Sequence, residues 1–78
     1  MSHGYSSRLI GLNKKANPKL LGVRLGRVCI KHNIPVTNVA SSLGVSRQTI
    51  YNWFIGERNP QNLVVDEIQK LLASFSRK

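Results

Sequence analysis

The chain has 78 residues, enough for one small domain near the size at which a single apolar core only just suffices. Its 41% hydrophobic content is ordinary for a globular protein and excludes wholesale disorder, while no apolar run approaches the roughly 18 residues that would span a membrane. Twelve Lys and Arg against three Asp and Glu give a formal +9, and the first acid along the chain is Glu57; so one-sided a field favours a polyanionic partner over a merely solvated basic surface, and no membrane or small-molecule ligand is expected.

Met1 to Asn17 has no sustained periodicity, carries Gly4, Gly11 and three serines, and reads as a flexible basic arm. Its Arg8, Lys14 and Lys15 are candidate contacts to phosphates or to a minor groove. Leu9, Ile10 and Leu12 either pin this arm to the domain or meet a partner. The domain proper is expected over residues 18–78.

Pro18 suits the first turn of a helix, with Asn17 as its cap. Leu21, Leu25, Val28, Cys29 and His32 then recur at i, i+4, i+7, i+8 and i+11, one helical face, and Arg24, Arg27 and Lys31 form a basic stripe apart from it. Gly22 and Gly26 weaken this helix by about 1 kcal/mol each relative to Ala, but four residues apart they admit another backbone. Asn33 closes it. His32 reads as a helix-end residue, because the other histidine, His3, lies in the arm and no metal set can be assembled.

Two short helices joined at Gly44 come next. Val39, Ala40 and Leu43 share a face of the first; Gly44 ends it, because glycine enters the left-handed region at little steric cost. Val45 plugs the turn and Ser46 is a good N-cap for the second helix. Ile50 and Trp53 fall on that helix's inner face, leaving Arg47, Gln48, Tyr51 and Asn52 outward. The arrangement predicts a helix-turn-helix whose second helix enters a DNA major groove. With Ser46 as cap, Arg47 and Gln48 occupy the first turn and Asn52 points the same way as Gln48. These three are the candidate base contacts, since Arg pairs with guanine O6 and N7, and Gln or Asn with adenine N6 and N7. Thr49 and Tyr51 flank the row and are candidates for a thymine methyl or a phosphate. Thr37, Asn38, Ser46, Arg58 and Gln61, near loops and helix starts, are candidate phosphate contacts.

After Gly56 a polar loop leads to a last helix, beginning at Asn59-Pro60 or at Asn62. Val64, Ile68, Leu71, Leu72 and Phe75 trace its inner face, with Asp66 and Glu67 near its start and Arg77 and Lys78 near its end, as the helix dipole favours. It should pack on the first helix of the domain, with Leu72 and Phe75 either completing the core or extending into a dimer contact.

The run VASSLGVSRQTIYNWFIGERNP resembles the helix-turn-helix of phage Cro and repressor proteins, the lambda-repressor-like class, in which L-A-x-x-L-G-V-[ST] is followed by a buried Ile, an aromatic or Leu, and G-x-R-x-P. Val39-Ala40, Leu43-Gly44-Val45-Ser46, Ile50, Trp53, Gly56, Arg58 and Pro60 carry the match. The resemblance implies an all-α, four- to five-helix domain with a central helix-turn-helix. It also implies a phage or prophage repressor of Cro type that binds duplex DNA as a homodimer on a two-fold symmetric operator and occludes it. Two departures stand out. Pro35 and Val36 occupy the places of a Thr and of a Gln that touches phosphate, leaving Thr37 or Asn38 as its substitute. Cys29 and Phe54 stand where many relatives carry an Arg–Glu pair, so an apolar contact is expected there, an exchange that is often neutral for stability.

No catalytic constellation is present: no nucleophile with a base, no paired carboxylates, no glycine-rich phosphate loop, and no cofactor is expected. Cys29, the lone cysteine, reads as a core residue in a reducing cytoplasm, and the resemblance implies that of a bacterial host cell, at the nucleoid. Two other functions fit a helix-turn-helix. One is a DNA-binding module that recruits machinery, as an antitoxin, excision factor or activator would; the other is a protein-binding helix-turn-helix that inhibits a host factor. Apolar residues on the exposed face would favour the last, and Arg47, Gln48 and Asn52 stand there instead.

Overall fold

A computed structural model describes residues 5–76 and the side chains of 5–75. Five α-helices follow in order: α1 (Ser7–Lys15), α2 (Leu21–Lys31), α3 (Val36–Leu43), α4 (Arg47–Phe54) and α5 (Asn62–Ser76). Helix α2 is the hub, touching α1, α4 and α5, while α3 packs on α4 and α5. Val23, Leu25, Cys29, Ile50, Phe54 and Ile68 are fully enclosed, and Val36, Val39, Ala40 and Trp53 nearly so.

The main correction concerns the N-terminal segment, which holds a helix where a flexible arm is expected. Ser6 caps α1 by accepting from the Leu9 N–H at 3.1 Å, and Lys14 and Lys15 lie in the last turn, where the dipole favours cations. Leu9 and Ile10 pack on the core, and Tyr5 is buried within it. The Tyr5 hydroxyl donates to the Ile34 carbonyl, and its ring lies 6.0 Å from that of Phe54. Met1 to Gly4, the rest of the expected arm, fall outside the described residues.

Helix α2 starts three residues later than Pro18 suggests. The Asn17 side chain accepts from the Lys19 N–H at 2.9 Å and its carbonyl from the Leu20 N–H at 3.2 Å. That is a turn stabilised by Asn and Pro, which competes with helix. Helix α2 is also buried over more than its predicted face. Gly22, Val23 and Gly26 lie on a second buried side, because α1 and α4 cover it. The close approach that the two glycines predict is there: a Cβ built on Gly22 would stand 2.7 Å from Trp53 Cβ and 2.8 Å from the Trp53 carbonyl oxygen.

Backbone punctuation follows the sequence closely. Asn33 (φ 56°) ends α2, with the Ile34 N–H returning to the Cys29 carbonyl at 2.8 Å. Gly44 (φ 68°) ends α3 and Gly56 (φ 81°) follows α4, each in the left-handed region that frees the chain to turn. Of the two starts weighed for the last helix, α5 takes Asn62. Val64, Ile68, Leu71, Leu72 and Phe75 all meet the core, as their spacing predicts. Glu67 forms an exposed i, i+3 pair with Lys70 at 3.8 Å; Arg77 and Lys78 fall outside the described residues. Cys29 and Phe54, at the expected apolar replacement for an ion pair, share one cluster with Tyr5 as a third member.

Candidate nucleic-acid interface

Helix α4 is held from both ends and from beneath. At its start the Ser46 hydroxyl accepts from the Thr49 N–H at 3.2 Å and lies 2.9 Å from the Thr49 hydroxyl, while the Ser46 carbonyl accepts from the Ile50 N–H at 3.2 Å. At its end every carbonyl of the last turn has a donor. Tyr51 takes the Ile55 N–H, Asn52 those of Glu57 and Arg58, and Trp53 that of Gly56. The last, Phe54, takes the side chain of Asn13 at 2.6 Å. Ile50, Trp53 and Phe54 fix the inner side. The outward side chains therefore stand on a helix with little freedom to roll or fray.

On that outer side Arg47 and Gln48 are exposed, and Tyr51 and Asn52 are half-buried. Gln48 Nε2 donates to Asn52 Oδ1 at 3.1 Å, one helical turn apart, so these two amides act as one unit. Grooves flank α4 on two sides. One, of about 630 Å³, brings Thr49 together with Arg58, Asn59 and Gln61 over an apolar floor that includes Val45 and Trp53. The other, of about 720 Å³, brings Gln48 and Tyr51 together with Ser6, Arg8 and Leu12 of the N-terminal segment.

The remaining candidates scatter. Thr37 and Asn38 are exposed in the first turn of α3 and line neither groove. Val36, in the place of a phosphate-touching Gln, is buried in the core. Lys15 is exposed, and Lys14 borders a different groove, between α1 and α2, with Arg27 and Lys31. The Lys14 carbonyl accepts from Arg27 Nη2 at 3.1 Å. Asn13, buried against α4, is the residue that sequence reasoning missed. The available signal was Ser6 as a cap with Leu9, Ile10 and Asn13 three, four and seven residues on.

The charges on the first four helices are all of one sign. Helices α1 to α4 contain no acidic residue, so no carboxylate neutralises Arg8, Arg47 or their neighbours from within these elements. The ionisable groups beneath are kept neutral. Burial pushes the Cys29 thiol up to about 12, against a smaller opposing effect of the Tyr5 hydroxyl. Burial also raises Tyr5, with the nearby Cys29 charge adding to it. Among the described residues no group of His, Cys, Asp and Glu could hold a metal ion, and no helix is long and apolar enough to cross a membrane.

Comparison with curated proteins and with solved structures returned no match. The helix-turn-helix family model matches residues 21–74, from the first residue of α2 to the last turns of α5, and so leaves α1 outside. That span covers well over half of the chain and coincides with the glycine turn, capped second helix and packing helices described above. The chain belongs to the helix-turn-helix family of the Cro/C1 type, a family of DNA-binding transcription regulators.

Proposed function

We propose that this protein is a Cro-like repressor of phage or prophage origin that binds a specific duplex operator as a homodimer and blocks transcription by occupying it. The observation that carries the reading is the outer row of α4. Arg47, Gln48 and Asn52 project from a helix locked by Ser46 at one end and Asn13 at the other, and helices α1 to α4 carry no acid. The Gln48–Asn52 bond leaves Gln48 Oε1 and Asn52 Nδ2 for the ligand, an acceptor and a donor that complement adenine N6 and N7. Arg47 in the first turn has the fork that guanine O6 and N7 accept. Thr49, Arg58 and Gln61, joined in one groove, suit a sugar-phosphate strand alongside, and Tyr51 suits the opposite border. Ser46, Thr37 and Asn38 at two helix starts add phosphate donors.

Assembly follows from the size of the reader. One such helix spans few base pairs, so useful specificity requires a second copy about one helical turn away. The border of α5 with α2 suits that role, where Leu72, at the edge of the core, lines a groove with Leu21, Arg24 and Val28, and Phe75 another with His32 and Ile34. Selection of binding sites from random duplex DNA tests the proposal. A two-fold symmetric enriched sequence, bound by two copies, is the expected result; recovery of no preferred sequence would overturn it.

A further inference from the structure

We infer that α1 is a fixed part of the DNA-facing surface rather than a detachable arm, and that its Arg8 holds a backbone phosphate at the border of the groove that α4 enters. The inference rests on the role of α4 proposed above and extends it to an element outside the family match.

Three observations carry it. The first is attachment. Tyr5 before α1 and Asn13 near its end are both buried, one bonded to the Ile34 carbonyl, the other to the Phe54 and Val23 carbonyls at 2.6 and 3.3 Å. Leu9 and Ile10 pack on the core between them. The second is position. Arg8 is exposed in the first turn of α1 and lines one groove with Gln48 and Tyr51, directly beside the proposed base-reading row. The third is charge. With no acid in α1 to α4, nothing within these elements competes for the guanidinium, which matches a phosphate in a bidentate geometry. A phosphate contact made from an anchored helix also loses less conformational entropy than one made from a mobile tail. Lys14, by contrast, faces a groove shared with Arg27 and Lys31 away from Gln48 and Tyr51. The basic residues of this segment therefore do not act alike.

The test uses the full chain on its selected duplex and on an unrelated duplex, titrated across salt. Arg8→Ala should weaken both complexes several-fold and reduce the salt slope by about one, as expected for one lost phosphate contact. Arg8→Lys should restore the slope, and Lys14→Ala should leave it nearly unchanged. Unchanged affinity and slope in Arg8→Ala, with Arg47→Ala still disrupting recognition, would overturn this inference and leave the role of α4 standing. A changed base preference in Arg8→Ala would overturn the phosphate assignment. Because Arg8 is exposed, its loss should not unfold the protein, which circular dichroism checks. Amide exchange on the free protein tests the fixed attachment independently. Residues Ile10 to Lys15 should be protected comparably to α4, and rapid exchange there would refute it.

Discussion

Asn13 Nδ2 donates to the Phe54 carbonyl at 2.6 Å, joining the end of α1 to the end of α4 across 41 residues of sequence. Gly26 makes the room: a Cβ there would stand 2.7 Å from Asn13 Nδ2 and 2.8 Å from Phe54 Cγ. A carbonyl at a helix end has no intrahelical partner, and with Asn13 only 2% exposed, water is a poor substitute. One side chain thus completes the terminus of the proposed reading helix and fastens α1 to the domain.

Asn13→Leu should therefore cost about 1–3 kcal/mol, the range for a buried polar group left without its partner. Asn13→Asp should cost more, because a carboxylate would face two carbonyl oxygens with no proton to offer. Urea denaturation monitored through Trp53 measures both. An Asn13→Leu protein as stable as the parent would mean that the Phe54 carbonyl finds another donor.

Two glycines in helices should respond with opposite signs. Gly22→Ala drives a methyl into the Cβ and carbonyl of Trp53, and backbone cannot step aside as a flexible side chain would. A loss of about 1–3 kcal/mol is expected for such overpacking, which outweighs the propensity gained. Gly11 in α1 has nothing within 4 Å of a built Cβ. Gly11→Ala should stabilise by roughly 0.5–1 kcal/mol through helix propensity alone. Thermal melts of the two variants decide the matter, and a stabilised Gly22→Ala would refute the close packing of α2 on α4.

What the sequence disclosed, and what it hid, divides by the range of the interactions. Gly44, Ser46 and Gly56 act on backbone within a few residues of themselves, so the turn, the cap and the helix end were legible from order alone. The inner faces of α4 and α5 were legible because helical periodicity places Ile50, Trp53, Ile68 and Phe75 without reference to a partner. Helix α1 was not. Its buried side is Leu9, Ile10 and a polar Asn13, which breaks the apolar stripe, and Asn13 is suited to burial only by carbonyls on α2 and α4. Val23 is hidden for the same reason: it lies off the predicted face of α2, on the side that α1 and α4 cover. At the candidate interface the outward identity of Arg47 and Gln48 was readable, whereas the Gln48–Asn52 bond depends on side-chain rotamers and the grouping of Arg8 with Gln48 on how α1 docks.

The buried thiol makes stability fall at alkaline pH. Burial raises Cys29 from its ordinary 9.0 to about 12, so the folded state favours the protonated form. That contribution is fully present below about pH 9 and is lost as pH rises through the folded value. Tyr5 shifts in the same direction, for the same reason, and adds to the loss at higher pH. Denaturation midpoints should be flat around neutrality and decline from about pH 9 upward, by no more than about 1.4 kcal/mol per pH unit for each group. Cys29→Ala lowers stability throughout through its cavity but should flatten the pH dependence relative to the parent. Parallel curves for the two proteins would show that the thiol does not contribute.

Base recognition offers a prediction that goes beyond single substitutions, because Gln48 and Asn52 are bonded to each other and Arg47 is outside that bond. Each of Arg47→Ala, Gln48→Ala and Asn52→Ala should cost roughly 1–3 kcal/mol on the selected site and relax preference at one base pair. Removal of Gln48 also frees Asn52 to rotate, and removal of Asn52 frees Gln48, so each single substitution already forfeits part of what the other residue supplies. The double variant should then lose less than the sum of its parts, with a coupling energy of about 0.5–3 kcal/mol, whereas Arg47→Ala combined with Asn52→Ala should be closer to additive. Arg58→Ala supplies the contrast: as a phosphate contact from the loop, its loss should weaken all duplexes alike and lower the salt slope by about one without altering the preferred sequence. Competition binding of the variants against the selected site and its single-base derivatives measures every quantity. Strict additivity of Gln48 and Asn52 would show that the two amides read independently. A preferred sequence untouched by all three substitutions would show that α4 is not the reader.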